Sequence, residues 1–474
     1  MNATVFDRSN PDPRIVASAL EGSRLSPFWL DELRERHSFP KYSGSANADL
    51  VVVGGGYAGL WTALQAKQRD PDARVVILEA KTIGWAASGR NGGFCEASLT
   101  HGEVNGENRF PRELDQLNRL GQENLDEIEQ TVRELGLDCD FERTGSLAVA
   151  VEKYQVEELR AAHNGTTELF FDAAAMRAEL NSPTYLAGLW STRATAMVHP
   201  AKLAMELARA CAEAGVQIFE NSLVTGLDSE LRGGPVIVTV QNGFVNADRV
   251  ALATNVFPSL LKRYRLHTVP VYDYVLMTEP LSAEQLAAIG WGNRQGVADL
   301  GNQFHYYRLS ADNRILWGGY DAIYHYGGRI RPEYEDRRET FEKIARHFFT
   351  TFPQLEGVRF THRWAGVIDT SSRFCAFFGK ARQGRVAYAA GFTGLGVGAT
   401  RFAANVMLDQ LSGIETERTS LDMVRSMPLP FPPEPAAYAG VQASRWALGR
   451  ADRNEGKRNL LLRTLDAVGL GFDS

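Results

Sequence analysis

The run ADLVVVGGGYAGLWTAL, residues 48–64, limits the possible folds of this chain more than any other stretch. An unbroken apolar strand runs into three glycines and leaves as a helix. A strand apolar on both faces belongs in the interior of a parallel sheet. Gly54, Gly56 and Gly59 are spaced G-x-G-x-x-G. The first glycine permits the tight turn, the second lets the backbone approach a pyrophosphate, and the third lets the helix pack on the strand. The helix opening at Tyr57 and Ala58 would offer its free N–H groups to the phosphates. A second apolar strand, RVVILEA, ends at Glu79, 20 residues past Gly59, where an acid accepts hydrogen bonds from an adenosine ribose. The pattern predicts a dinucleotide-binding βαβ unit, the alternative being a merely tight strand–helix turn.

At 474 residues and 44% hydrophobic content the chain can bury a large core divided over two or three domains. A formal net charge of −6 gives no electrostatic case for nucleic acid. Cys95, Cys139, Cys211 and Cys375 form no C-x-x-C pair, which argues against a disulfide scaffold or a structural metal and fits a reducing compartment. The N-terminus lacks a basic start followed by an apolar region, so no signal peptide is expected. No run of about 18 apolar residues is available to span a bilayer. A cytoplasmic globular protein is the expectation.

Along the chain, α/β character alternates with something different. Residues 113–136 carry a helical stripe of Leu125, Ile128, Val132 and Leu135. Residues 199–216 form a second helix with Leu203, Leu207 and Cys211 inward and Gly215 as its stop. The strand VQIFE, a hairpin-like pair at 222–240 and the buried strand RVALATN follow. Residues 256–358 are rich in aromatics with alternating patterns, the mark of an antiparallel sheet. The fold class expected is α/β: a Rossmann-like nucleotide domain interleaved with an antiparallel-sheet substrate domain. Boundaries are placed at 1–45 for a docking arm, 46–110, 195–258 and 360–420 for the nucleotide domain, 111–194 and 259–359 for the substrate domain, and 421–474 for a basic helical tail.

Two further glycine loops decide which dinucleotide. GWAASGRNGG (84–93) sets Ser88, Gly89, Gly92 and Gly93 around the cation of Arg90 and the amide of Asn91. A plain NAD unit would pass into its next helix here. GFTGLGVGAT (391–400) lies between the apolar strand RVAYAA and another helix. It would bring a positive helix end to a second site on one large cofactor, which suits a flavin whose reduced ring is anionic. FAD is therefore expected.

Four motifs carry a resemblance: GGGYAGLWTAL, GWAASGRNGGF, HYYRLSADNRILWGG and HRWAGVIDTSSRFCAFFG. Over roughly residues 25–420 the chain resembles the D-amino-acid-oxidase-type FAD-dependent oxidoreductases, in their gamma-glutamylputrescine-oxidase-like branch. The resemblance implies a glutathione-reductase-type FAD fold with Arg90, Asn91 and Gly92 along the pyrophosphate and flavin. It also implies that Val224 touches adenine through its backbone, and that Gly391, Thr393, Gly394, Leu395 and Gly396 cover the flavin edge. Ala80 and Lys81, beside Glu79, and Trp364 complete the expected cofactor contacts. Two departures matter. Many amino-acid oxidases of this family carry an arginine four residues after the tryptophan of W-x-G, gripping a substrate carboxylate; here that position is Ile368. A proline common in the fourth motif is Ala376. Relatives that bind flavin covalently use a cysteine at the position of Gly366 or a histidine near Trp85–Ala86, so the FAD here is expected to be non-covalent.

For the substrate, a strand places Tyr306 and Arg308 on the face opposite His305 and Tyr307. Tyr306, Arg308, Tyr320 and His325 are the catalytic candidates, and Tyr324, Tyr326 and Trp61 could join an aromatic wall that attracts an amine. His362, Arg363 and Arg373 are further candidates, and for each single residue ordinary core packing competes. The expected reaction is oxidation of an amine by hydride transfer to flavin N5. The imine is hydrolysed to an aldehyde, and oxygen or another acceptor reoxidises the flavin, with hydrogen peroxide formed from oxygen. The alternatives are an FAD-dependent hydroxy-acid dehydrogenase with a quinone acceptor and a non-catalytic flavin-fold binding protein.

Overall fold

The computed structural model describes residues 3–229 and 234–467. The apolar run becomes the strand Gly44–Val53, which pairs in parallel with Val75–Leu78 on one side and Gly243–Leu252 on the other. Gln217–Phe219 and Val386–Ala390 extend the parallel sheet in the two directions, and Phe377–Ala381 closes it antiparallel. Period-two alternation sends Val52, Ile77 and Ala251 to one face, where they pack on the helices Tyr57–Arg69, Pro200–Glu213 and Ala399–Ser412. Val51, Val53, Val76 and Leu78 go to the other face. That face is covered by the hairpin Val224–Ser229 and Val236–Val240 instead of by helices. The strands are buried on both sides, as their composition requires, but by two kinds of cover.

The second sheet has ten strands and is antiparallel apart from two parallel contacts, at Arg24–Leu25 with Phe360–Ser371 and at Gly296–Asp299 with Ser146–Ala150. Phe360–Ser371 pairs with Thr268–Thr278 along its whole length, so the stretch 360–420 is divided between the two sheets. The helix Leu114–Glu134 buries Leu117, Leu125 and Ile128 in the core of the nucleotide-binding layer. Its stripe ends at Val132, and Leu135, the cap residue, is exposed.

The two faces of the ten-stranded sheet differ. The outer face holds Tyr272, Tyr274, Tyr307 and Trp317 against Phe348 and Phe352. The inner face holds Val275, Met277, Leu316 and Trp364 against Phe28 and Trp29 of the N-terminal arm and Ala201 of the nucleotide-binding layer. The C-terminal helix Ala436–Asp452 docks through Arg445 on Asp321 and, at its cap, through Arg453 on Asp7 at 2.9 Å. Residues 468–474 of the expected basic tail lie outside the described residues. Among the described residues no helix is long and apolar enough to cross a membrane, and no cluster of metal-ligating side chains occurs.

Candidate cofactor and substrate site

The glycine turn has no room for side chains. Gly54 has φ +113°, and a Cβ there would stand 2.5 Å from the carbonyl oxygen of Ala253. A Cβ at Gly59 would fall 1.9 Å from the Gly54 oxygen, which is the close strand–helix approach read from the spacing. Gly56 caps the helix, and Tyr57 N–H donates to the Ser88 hydroxyl at 3.0 Å, so Ser88 sits at the helix N-terminus beside Gly56. The Tyr57 ring turns into the core, and its hydroxyl donates to the Pro200 carbonyl at 2.8 Å. Only its backbone faces the turn. Glu79 is buried and already accepts from Gly55 N–H at 2.7 Å, Lys81 N–H at 2.8 Å and Trp85 Nε1 at 2.9 Å. Burial raises its carboxyl against those donors. A carboxylate has about four acceptor positions, so one remains for a ribose hydroxyl. Ala80 is exposed, and Lys81 lies 4.0 Å over the Trp85 ring. Val224 opens the hairpin at a bulge.

The side chains of Arg90 and Asn91 bond to the protein around them. Arg90 pairs with Glu335 at 2.7 Å and donates to the carbonyls of Trp85 and Ala365 at 3.1 and 3.2 Å. Asn91 donates to the Ala87 and Ser88 carbonyls and accepts from Gly93 N–H at 2.8 Å. Both side chains, expected among the polar contacts of the flavin, make these bonds within the protein. They brace the loop Ser88–Gly93 from within and tie it to the second sheet. The same loop is gripped from the sheet side: Trp364 Nε1 donates to the Arg90 carbonyl at 2.8 Å, and Trp29 Nε1 to the Asn91 carbonyl at 2.9 Å. Gly89 and Gly92 allow the approach, since a Cβ at Gly92 would be 2.7 Å from the Tyr306 ring.

The second glycine loop is held by an acid that the sequence reading did not single out. Asp369, at the end of Phe360–Ser371 and 2% exposed, accepts from Gly391 N–H at 2.6 Å and from Phe392 and Thr393 N–H. Burial outweighs these donors and raises its carboxyl to about 7. Thr393 adds a clasp, accepting from Ser371 N–H at 3.1 Å and donating to the Gly391 carbonyl at 3.0 Å. Gly391, Thr393 and Gly394 all have positive φ, so the loop makes a tight path before the helix Ala399–Ser412. His101, also missed, comes against Gly394 and Thr393, its basicity lowered by burial.

The structure separates the four catalytic candidates. Tyr306 is on the inner face, edge-on to Phe94 at 5.8 Å and against Gly92. Arg308 shares that face but is 2% exposed and is committed to backbone, donating to the Val198, Leu309 and Gly93 carbonyls at 2.6, 3.1 and 3.4 Å. Burial without a carboxylate partner lowers it to about 10. Its short bond ties the Val198 carbonyl to the sheet. Tyr320 stacks on His305 at 5.0 Å on the outer side, where His305 also bonds Asp299 and His347 at 2.7 and 3.0 Å. His325 stacks on Tyr334 at 3.7 Å beside Tyr272 of the outer core. Both are corrected from catalytic candidates to packing residues: the chain turns at Gly319, φ +95°, and strand alternation no longer holds beyond it. Trp61 is buried in the nucleotide-layer core, Arg373 bonds carbonyls of Met423 and Ser426, and Arg363 bonds Ser23.

The inner face contains one carboxylate with no sequence motif around it. Asp273 is paired across the ladder with Gly366, as Val271 is with Ile368 and Val275 with Trp364. The Tyr306 hydroxyl donates to its carboxylate. Its only signal in the sequence is a charge in VYDYVLM, at the strand position where alternation leaves the tyrosines.

A dinucleotide with a flat ring system fits these residues. The positive-φ Gly54 and a helix N-terminus meet at the Gly54–Gly59 turn, and a Cβ built at Gly366 or Gly396 meets no atom within 4 Å. Those two positions lie on the two segments expected to enclose the flavin. The fold and the site define an oxidoreductase built on a dinucleotide cofactor. The chain belongs to the FAD dependent oxidoreductase family, whose model matches residues 49–410, and its cofactor is FAD. It is 32% identical over 423 residues to a gamma-glutamylputrescine oxidoreductase of Escherichia coli K12, covering 86% of this chain and 93% of that protein. A probable oxidoreductase OrdL of Haemophilus influenzae is 27% identical over 83% of this chain and 89% of that protein. In fold it is similar to a glycine oxidase from Geobacillus kaustophilus, with TM-score 0.66 at 18% identity over 81% of this chain and all of that one. An L-proline dehydrogenase from P. horikoshii gives TM-score 0.65 at 17% identity over 81% of this chain and 96% of that one.

Proposed function

We propose that this FAD-dependent oxidoreductase oxidises an alkylamine of the gamma-glutamylputrescine kind, holding its FAD without a covalent bond. The observation that carries the reading is the inner face of the ten-stranded sheet. Ile368 stands on that face, where an amino-acid oxidase of the family would offer a guanidinium, and Arg308 is committed to backbone carbonyls. A substrate carboxylate has no bidentate partner there. The similarity to the E. coli oxidoreductase supports the same substrate class.

When bound, FAD supplies the acceptor for a hydride leaving the carbon next to the nitrogen, and water then hydrolyses the imine to an aldehyde. The chain positions the reactants. The Gly54–Gly59 turn and Ser88 hold the pyrophosphate end, Glu79 and Val224 the adenosine end. The backbone of Ser88–Gly93 and of Gly391–Gly396, locked by Trp29, Trp364 and Asp369, flanks the ring. The N-terminus of the helix Ala399–Ser412 favours negative charge on the ring edge. Gly366 has no side chain to link to FAD, and Cys375 is fully buried with its thiol raised by burial.

Anaerobic mixing of the yellow protein with alkylamines tests the reading. Amines should bleach the flavin band, and readmitted oxygen should restore it with release of hydrogen peroxide. Bleaching by a 2-hydroxy acid, with every amine inert, would replace the amine reading with the hydroxy-acid one.

A further inference from the structure

On the strand Thr268–Thr278 the flanking Tyr272 and Tyr274 turn into the outer core, so Asp273 turns inward. Its ladder partner Gly366 has no side chain to cover it, and the next pair on the same face is Val271 with Ile368, so the carboxylate stands between the space at Gly366 and the Ile368 position where relatives hold a substrate carboxylate. Three groups bear on it: the Tyr306 hydroxyl and the N–H groups of Tyr274 and Gly319. Burial raises its carboxyl to about 6 against those donors. Among the described residues no cation pairs with it. The arginines on neighbouring strands and loops have other partners: Arg308 the Val198 carbonyl, Arg90 Glu335, and Arg363 Asp336. A half-buried carboxylate without a counter-ion favours a ligand that supplies the charge.

We propose that Asp273 receives the cationic nitrogen of the substrate and thereby sets the sign of charge that the site admits: alkylammonium ions lacking a carboxylate on the reacting carbon. This rests on the amine reading above and adds to it the residue that selects the substrate. Tyr306 is a positioning residue, fixing the carboxylate through its hydroxyl. The nitrogen must lose a proton to solvent before hydride can leave. A carboxylate beside it favours the protonated form, so binding and reaction are opposed at this one residue.

The test uses the FAD-loaded protein and n-butylguanidinium, which stays protonated and has no lone pair to be oxidised. Titrated against the flavin spectrum, it should bind, and pentanoate should not. Asp273→Asn should weaken the cation at least about tenfold while retaining flavin and thermal stability, and should move the kcat–pH limb for an amine to lower pH. Ile368→Arg, placing a guanidinium on the same face, should abolish cation binding and admit pentanoate. Equal cation affinity in wild type and Asp273→Asn, or tighter binding of pentanoate by wild type, overturns the proposal. The guanidinium reports binding without turnover, so the two readings fail separately. Asp273-dependent binding with no amine oxidised leaves this proposal standing and removes the reaction, whereas amine oxidation with Asp273-independent binding does the reverse.

Discussion

Replacing Asp369 with asparagine should change how stability depends on pH. The carboxyl is buried under the second glycine loop and titrates at about 7 in the folded protein, against 3.8 for an unperturbed side chain. Between those values the folded chain binds more protons than the unfolded one, so stability falls as pH rises through the window. Each pH unit there corresponds to about 1.4 kcal/mol, and on the order of 3 kcal/mol should be lost between about pH 5 and about pH 8. Asparagine presents an acceptor to Gly391 N–H but cannot ionise. The difference in unfolding free energy, variant minus wild type, should therefore climb by about 3 kcal/mol over that range. Urea unfolding of the two apoproteins at several pH values measures it, and subtraction removes the contribution of every other titrating group. Two curves that stay parallel would refute the reasoning, showing that the loop N–H groups hold the carboxyl ionised.

Gly396→Ala should leave apoprotein stability within about 0.5 kcal/mol, because its Cβ meets no protein atom, yet weaken FAD binding, read by fluorescence titration. Gly54→Ala, whose Cβ would strike the Ala253 carbonyl, should instead lower the Tm of the apoprotein itself. Arg308→Met leaves the Val198 carbonyl without its side-chain donor, whereas the Gly93 carbonyl keeps Val198 N–H at 2.9 Å, and should destabilise by about 1–3 kcal/mol, the cost of one orphaned buried group. The flavin that remains bound should keep a near-normal kcat, and a kcat loss without destabilisation would return Arg308 to the catalytic site. Acid precipitation of the holoprotein should leave the yellow colour in the supernatant; colour in the pellet would show a covalent link.

The nucleotide half was legible because its constraints are local. A φ of +113° at Gly54 and the close approach at Gly59 each demand glycine within a few residues of one another, and spacing records that. What stayed hidden was set by pairing between distant segments. Strand alternation put Arg308 on the inner face with Tyr306, but it could not show that the Val198 carbonyl waits there. Nor could it see past Gly319, where the turn sends Tyr320 outward. Asp273 and Asp369 are single acids in apolar strands, and only the ladder that sets Gly366 beside Asp273 and the loop whose Gly391 N–H bonds Asp369 show where each carboxylate points. Arg90 and Asn91 stand out in the sequence but their protein partners do not, because a glycine-rich loop looks the same whether its polar side chains reach out or fold back.

The indole of Trp364 holds the first of the two loops about the ring at the Arg90 carbonyl, and Asp369, on the same strand, holds the second. Trp364 and Arg90 are separated in the chain by 274 residues. Loop closure over such a span comes late in folding, so most of the polypeptide must be in place before the first loop has its final shape. Acquisition of FAD would then mark the completion of folding, and the yellow colour of a preparation would count the molecules that have reached the native state.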